Sequence, residues 1–167
     1  IIISGEVTTK AHLDYERIAR SVVRDIGYTS SDIGLGADSM DVEVNIREQS
    51  PDIALGVDEM EDKSLGAGDQ GIMFGYATDE TKNYMPLPIV VAHKLVRYAT
   101  QLRKSGELNF ARPDMKSQVT IDYTKETPAL NAVVMSVQHS PDIEIDELRK
   151  EILNKVIYPV VDSFGLK

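Results

Sequence analysis

The sequence has no cysteine, no apolar run long enough to cross a membrane, and fewer basic than acidic residues. The absence of cysteine excludes disulfides, thiolate metal sites and cysteine nucleophiles, and it fits a cytoplasmic protein. A transmembrane helix needs roughly 18 consecutive apolar residues, which no segment approaches, so we expect a soluble chain with no membrane partner. A secretion signal has a basic region, then an apolar stretch, then a cleavage site of small residues. The start of the chain does not show this order, so we expect no secretion signal.

The shortage of positive charge bears on the partners of the chain. Its 18 basic residues face 27 acidic ones, giving a net charge of −9 over 167 residues. Nucleic-acid-binding proteins use a broad positive field, so we expect no nucleic-acid partner. A small anionic ligand is still compatible, because a few local cations and backbone amides can hold one. The apolar content of 42% is enough to bury a core in one ordinary domain or two small ones.

Apolar periodicity predicts strands and helices along the whole chain. The predicted strands cover 1–7, 40–46, 71–77, 117–123 and 130–137, the last two as a hairpin. Three helices are predicted. The first is capped by Asp14 and ended by Gly27, and the second covers 88–104 and ends before Gly106. The last is amphipathic and uses these apolar residues: Leu148, Ile152, Val156, Ile157 and Val160. A polar, acidic stretch over 47–68 predicts a long loop, which is typical of a functional or mobile segment.

This order of elements predicts an α+β fold. We expect repeated small sandwich domains, with helices on one face of mostly antiparallel sheets. The boundary falls in the long loop near residue 65, which gives domains of 1–65 and 66–167. The chain begins without methionine inside a strand pattern and stops just after a helical pattern, so we expect both ends to be truncations of something longer.

Residues 66–71 match the pattern G-x-G-x-x-G of dinucleotide-binding folds. That pattern must follow an apolar strand and open a helix, whereas here it follows a polar segment and precedes a strand pattern. The glycines instead indicate a tight turn where the backbone approaches a ligand or a neighbouring chain. Asp69, set among them, fits either an ordinary turn aspartate or a ligand-binding carboxylate, and the pattern alone favours the former.

Two proline-containing segments, 49–52 and 112–116, place polar groups on a locally fixed backbone. Lys116 stands at the entrance to a strand, where its charge could meet a phosphate, although the pattern alone favours a solvated lysine. Asp114 could accept hydrogen bonds from a sugar hydroxyl or simply cap the turn. His12, His93 and His139 are scattered, and the acidic run over 58–62 is typical of a solvated loop, so no metal site is predicted from spacing.

Longer motifs add a resemblance to a known family. Residues 66–77, GAGDQGIMFGYA, resemble the signature of the S-adenosylmethionine synthetases, or methionine adenosyltransferases. Further segments resemble others of that family, in family order and at family-like spacing: GEVTT at 5–9, QSPDI at 49–53 with GVD at 56–58, RPDMKSQV at 112–119 and VMSVQHS at 134–140. The resemblance covers essentially the whole chain.

The resemblance implies an enzyme that makes S-adenosylmethionine from methionine and ATP. In the family, the methionine sulfur attacks ribose C5′ and displaces triphosphate, which is then hydrolysed to pyrophosphate and phosphate. The resemblance also implies two Mg²⁺ ions, an activating K⁺ and three similar α+β domains. It implies a homodimer or homotetramer with active sites at the subunit interface.

The resemblance further implies roles for individual residues. Glu6, Gln49 and Asp69 resemble the residues that contact methionine, Asp69 through the ammonium group. Asp114, Met115 and Lys116 resemble those that contact ATP, with Lys116 near the phosphates, so Lys116 and Asp69 are the candidate catalytic residues. A gating loop is expected over about 49–59, with these candidate residues: Gln49, Ser50, Pro51, Asp52, Gly56 and Asp58.

Several family segments do not occur in this sequence. They are the His-Pro-Asp segment, the glutamate that serves K⁺, the later Arg-Phe segment, the glycine-rich phosphate loop and the third domain. The sequence therefore contains nearly all of the family segments that bind methionine and lacks most of those that bind the triphosphate. We expect the ligands of Mg²⁺ and K⁺ to lie mainly outside this chain. An alternative interpretation is a shortened, non-catalytic relative that acts as a partner subunit of a full-length synthetase. A dinucleotide-dependent oxidoreductase is more remote.

Overall fold

The structure is a computed structural model of the chain and describes residues 1–57, 64, 66, 67 and 70–166. Contacts divide the chain into two units, Ile1–Gly75 and Tyr76–Lys167. Each unit combines helices with a two-stranded sheet, so the predicted α+β class is confirmed. The division into domains 1–65 and 66–167 stays a prediction.

The first unit contains strand β1 (Ile2–Val7), helix α1 (Tyr15–Ile26), strand β2 (Glu43–Glu48) and helix α2 (Pro51–Val57). Asp14 caps α1, because its carboxylate accepts a hydrogen bond from the N–H of Arg17 at 2.9 Å. Gly27 ends the helix with a φ of 119°, in the left-handed region that favours glycine. The predicted beginning and end of this helix are confirmed.

Strands β1 and β2 run parallel, with Ile2 opposite Glu43 and Val7 opposite Glu48. Parallel neighbours need a crossover connection, which α1 supplies. The sheet of this unit thus differs from the antiparallel arrangement expected for most of the fold. Val23 of α1 forms a small core with Ala37 and Met40.

The second unit contains helix α3 (Leu87–Ser105), strands β3 (Ala111–Asp122) and β4 (Ala129–His139), and helices α4 (Ile145–Ile152) and α5 (Tyr158–Ser163). The two strands form the predicted antiparallel hairpin. Helix α3 buries Val91, Leu95 and Ala99 in the main core, where Val156 and Val160 of the last helical region join them. One face of the hairpin is therefore covered by helix.

The last helical region is interrupted by a π turn over Leu153–Ile157. The N–H of Tyr158 donates to the carbonyl of Leu153. The next residue, Pro159, has no N–H and so cannot continue the α-helical pattern of backbone hydrogen bonds. The single last helix that was predicted is therefore two helices joined by this turn. None of the helices within the described part of the chain combines the length and apolar character needed to cross a membrane.

Two predictions about local structure are wrong. Residues 71–77 form neither strand nor helix, because an apolar pattern makes a strand only beside a partner strand, and none of the described residues pairs with them. The predicted loop over 47–68 contains α2. Pro51 starts this helix at the position where proline is best tolerated, and the carbonyl of Ser50 accepts from the N–H of Ala54 at 3.0 Å.

Candidate functional site

Glu6 and Gln49 come together at the carboxyl edge of the parallel strand pair. Glu6 pairs in register with Arg47 of β2. Gln49 follows the end of β2, and its N–H donates to the carbonyl of Val7 at 3.3 Å. Because side chains alternate along a strand, Glu6, Arg47 and Gln49 project from the same face. The structure therefore brings together Glu6 and Gln49, two of the residues that were predicted to bind methionine.

Thr8 belongs to the same group, and sequence analysis did not single it out. Its hydroxyl donates to Oε1 of Gln49 at 3.0 Å. This bond orients the amide and leaves the amide nitrogen of Gln49 as the donor that can face a ligand. In the sequence, Thr8 was marked only by its position two residues after Glu6. That position becomes informative once β1 and β2 are known to be parallel, because the pairing brings Thr8 to Gln49.

A groove of about 390 Å³ opens beside these strand ends. Its lining includes Val7, His12, Tyr15 and Arg47. Most of the lining surface is polar, and neither Glu6 nor Gln49 belongs to it. His12, which the sequence left without a role, is thereby placed next to the edge that carries Glu6.

The predicted gating segment starts at this edge. Gln49 and Ser50 connect β2 to α2, and Pro51 and Asp52 begin the helix. None of the seven residues of α2 is buried. A short helix without buried side chains can open locally at low cost, so the geometry is compatible with a gate, and this role stays a prediction.

The end of the gating segment adds a close backbone contact. Gly56 lies in the last turn of α2, and the N–H of Gly66 donates to the carbonyl of Val57 at 3.1 Å. A Cβ on Gly66 would lie 2.3 Å from the carbonyl oxygen of Gly56, so a larger residue would collide with backbone. Asp58 of the predicted gate and Asp69, predicted to bind methionine and act in catalysis, lie outside the described residues.

In the second unit, Asp114 and Lys116 project from the open face of the hairpin. Both side chains are exposed, whereas those of Met115 and Ser117 between and after them are half-buried. The hydroxyl of Ser117 donates to the carbonyl of Ala92 in α3 at 2.7 Å, which identifies the half-buried face as the one that the helix covers. Asp114 and Lys116 therefore lie side by side on the opposite face.

Met115, predicted with them to bind ATP, has its side chain on the helix-covered face. It packs against the main core and lies opposite Val137 in register. The strand thus brings Asp114 and Lys116 together but directs the side chain of Met115 away from them. A contact of Met115 with ATP through its backbone stays a prediction.

An irregularity in the ladder precedes these residues. The register of β3 against β4 shifts between Ala111 and Met115, and Pro113 within this stretch cannot donate a hydrogen bond to the ladder. Such bulges re-aim side chains and are frequent next to functional sites. The irregular stretch therefore contains both Pro113 and Asp114.

The described residues do not fit the metal ions that the resemblance implies. Within the described ranges, no group of three or more histidine, aspartate or glutamate side chains could hold a metal ion.

In sequence, the chain matches successive domains of a multidomain synthetase. Residues 1–51 match the model of the N-terminal domain of S-adenosylmethionine synthetase, and residues 64–166 match the model of its central domain. The chain belongs to the S-adenosylmethionine synthetase family. The first match contains Glu6 and Gln49, and the second contains Asp114 and Lys116.

Curated relatives carry the same family name. The S-adenosylmethionine synthase of Mesoplasma florum is 47% identical over 99% of this chain and 44% of its own length. That of Mycoplasma capricolum subsp. capricolum is also 47% identical, over 99% of this chain and 43% of its own length. The chain therefore spans less than half the length of these relatives.

Proposed function

We propose that the protein to which this chain belongs is an S-adenosylmethionine synthetase. The observation that carries the proposal is the match to two successive domains of that family over nearly the whole chain. In the proposed reaction, the sulfur of methionine forms a bond to ribose C5′ of ATP, the bond from C5′ to its phosphate oxygen breaks, and triphosphate leaves. Water then hydrolyses the triphosphate to pyrophosphate and phosphate.

This chemistry makes little demand for acid or base groups. A thioether sulfur is already a nucleophile and loses no proton when it attacks. The protein must hold the two substrates in line and stabilise the leaving anion. Charged and polar side chains fixed on strand edges suit both tasks.

Glu6 and Gln49 are the proposed contacts to methionine within the first unit. A free amino acid carries an ammonium and a carboxylate group, so its site needs an acceptor and a donor close together. Glu6 offers the acceptor, and the amide nitrogen of Gln49 offers the donor, because its oxygen already accepts from Thr8 at 3.0 Å. We assign the contact with the ammonium group to Asp69 as well.

Lys116 and Asp114 are the proposed contacts to ATP. Lys116 would hold the phosphates as a point charge and stabilise the triphosphate as it leaves. Asp114, on the same exposed face, would accept hydrogen bonds from the ribose hydroxyls. Met115 would add a backbone contact, because its side chain packs in the core.

The remaining family features are assigned to the whole protein. Because the family segments that carry the ligands of Mg²⁺ and K⁺ do not occur in this sequence, those ligands would come mainly from elsewhere in the protein. The segment over about 49–59 would gate the methionine site. The whole protein would act in the cytoplasm as a homodimer or homotetramer with active sites at the subunit interface.

The proposal is tested by assaying the product of the full gene and the 167-residue chain side by side. Each is incubated with ATP, methionine, Mg²⁺ and K⁺, and S-adenosylmethionine is measured by mass spectrometry. We expect product from the full gene product and none above background from the chain. If the full gene product is inactive but captures a separate full-length synthetase from its own organism, the proposal is wrong. The alternative, a non-catalytic partner subunit of that synthetase, is then supported.

A further inference from the structure

An open groove of about 570 Å³ lies between helix α3 and strand β3 in the second unit. The strand contributes Pro113 and Met115 to its lining. The helix contributes side chains that follow one another along one face: His93, Val96, Arg97, Thr100, Gln101 and Lys104. The volume is in the range of sites that bind small molecules. We call this feature the α3–β3 groove.

The apolar wall of the groove consists of Val96, Pro113 and Met115, which are all half-buried. The helix and the strand that carry this wall are joined beside it, because the hydroxyl of Ser117 donates to the carbonyl of Ala92 at 2.7 Å. Sites for small molecules are typically apolar and largely formed before the ligand binds. The wall therefore offers a surface for the apolar part of a ligand.

The opposite edge of the groove is polar and basic. Every ionisable side chain in the lining is basic, and α3 contains no aspartate or glutamate over its 19 residues. This is unexpected in a chain whose acidic residues outnumber the basic ones by 27 to 18. The local charge of the groove is thus opposite to the charge of the whole chain, which favours an anionic ligand at this place.

Arg97 stands in the middle of the polar edge. Within the described part of the chain, no hydrogen bond or ion pair engages the side chains of His93, Arg97 or Gln101. The exposed Arg149 of the same unit, by contrast, pairs with Asp146 at 3.1 Å. A guanidinium group fits two oxygens of a phosphate. His93 and Gln101 add donors about 6 Å along the helix on either side.

We propose that the α3–β3 groove binds an organic phosphate. Arg97 and the donors beside it would hold the phosphate, and the apolar body of the ligand would lie against Val96, Pro113 and Met115. A phosphate with several oxygens uses this row of donors better than a single carboxylate does. The groove is on the helix-covered face of β3, whereas Lys116 projects from the other face, so the inference goes beyond the proposed function.

The test is a calorimetric titration of the 167-residue chain with phenyl phosphate, an aromatic phosphate ester. Arg97→Gln removes the charge at the centre of the edge, and Gln101→Glu adds a repelling carboxylate. Both positions are exposed, so circular dichroism should show an unchanged fold. We expect each variant to weaken binding about tenfold or more. Arg149→Gln, at an exposed helical arginine outside the groove, should bind as the parent chain does.

Inorganic phosphate and phenol test the two walls separately. Each should bind about tenfold more weakly than phenyl phosphate or worse, because each meets only one wall. Equal binding of inorganic phosphate would overturn the inference, as would no saturable binding of phenyl phosphate up to about 10 mM. Unchanged binding in both Arg97→Gln and Gln101→Glu would overturn it as well.

Two further comparisons locate the site. A loss of binding in Lys116→Met as large as that in Arg97→Gln would place the phosphate on the exposed face of β3 and overturn the inference. In the full gene product, Arg97→Gln should weaken binding by the same factor as in the chain. No difference there would show that the rest of the protein covers the groove, and the inference would be wrong. The titration involves no turnover, so an inactive full gene product would overturn the proposed function alone.

Discussion

Lys116 carries a single positive charge on an exposed strand face beside Asp114. In a chain with a net charge of −9, a polyanion such as triphosphate is not attracted by the overall field. Its binding has to depend on local cations. This makes the charge of Lys116, more than its packing, the property on which its proposed role depends.

Replacing Lys116 by methionine keeps most of the side-chain length and removes the charge. We expect Lys116→Met to lower kcat/KM for ATP in the full gene product by the equivalent of about 1–3 kcal/mol, the range for a hydrogen bond to a charged group. Steady-state kinetics with each substrate varied in turn measures the change. Lys125→Met, in the exposed hairpin turn, should behave as the parent protein. A variant that changes only KM for methionine would contradict the role of Lys116.

Tyr123 should ionise at an unusually alkaline pH. Partial burial of the phenol, the hydrogen bond that it donates to Glu80 and the negative charge of Glu80 together raise its pKa to about 12. Since the unfolded pKa is 10.0, the fold favours the neutral phenol. This stabilisation is present below pH 10.0 and is lost as the pH rises toward about 12.

An absorbance titration at alkaline pH, comparing the parent chain with Tyr123→Phe, measures this directly. The difference curve should have its midpoint near 12 while circular dichroism shows that the chain is still folded. In Glu80→Gln the midpoint should move down, because the charged partner is gone although the partial burial remains. A difference curve centred on the ordinary tyrosine value of 10.0 would show that the Glu80–Tyr123 bond does not form.

At the scale of elements, local chemistry made α1 and α3 predictable. Asp14 and Gly27 are residues whose conformational preferences define helix ends, and both cap α1 as expected. Gly106 likewise ends α3 with a φ of 86°. Leu95, Ala99 and Leu102, spaced so as to share one face of α3, are buried in the main core.

The elements that were not predictable depend on partners distant in the sequence. The segment 71–77 has the composition of a strand, but strand formation requires a neighbour that the pattern cannot reveal. Helix α2 was not predicted, because the proline, glycine and acidic residues of this segment favour a loop. The helix is recognised only when Pro51 is taken as a first-turn proline. The same limit applied to the site: Glu6 and Gln49 came from motif resemblance, whereas Thr8 became visible only through the parallel pairing of β1 and β2.

Helix α3 should be the main source of stability in the second unit. Leu95 is fully buried within its core, so Leu95→Ala should lower the free energy of unfolding by about 2–5 kcal/mol. Ile89→Ala, on an exposed position of the same helix, should cost about 0.5 kcal/mol or less. Hydrogen exchange of α3 and β3 amides in increasing urea measures both values and separates this unit from the first. Equal losses for the two variants would show that α3 is not packed on the hairpin.

At the scale of the whole molecule, the chain exposes apolar side chains that a stable protein normally covers. Ile72, Met73, Phe74 and Tyr76 of the signature segment, residues 66–77, are between 76% and 95% exposed. Ile18 and Val22 of α1 are exposed as well. Because the chain spans less than half the length of its curated relatives, we expect the rest of the protein and its proposed subunit partner to cover these side chains.

Limited proteolysis distinguishes the chain from the whole protein on this point. Chymotrypsin cuts after aromatic residues in accessible, irregular backbone, and Phe74 and Tyr76 meet both conditions. We expect the first cuts in the 167-residue chain at these two positions, giving fragments close to the two units. In the full gene product the same bonds should resist cleavage, and resist it further with methionine and ATP bound, because ligand binding stabilises the folded state. Equal cutting at Phe74 in both proteins would mean that the signature segment stays exposed in the assembly, and the proposed active site at a subunit interface could not include it.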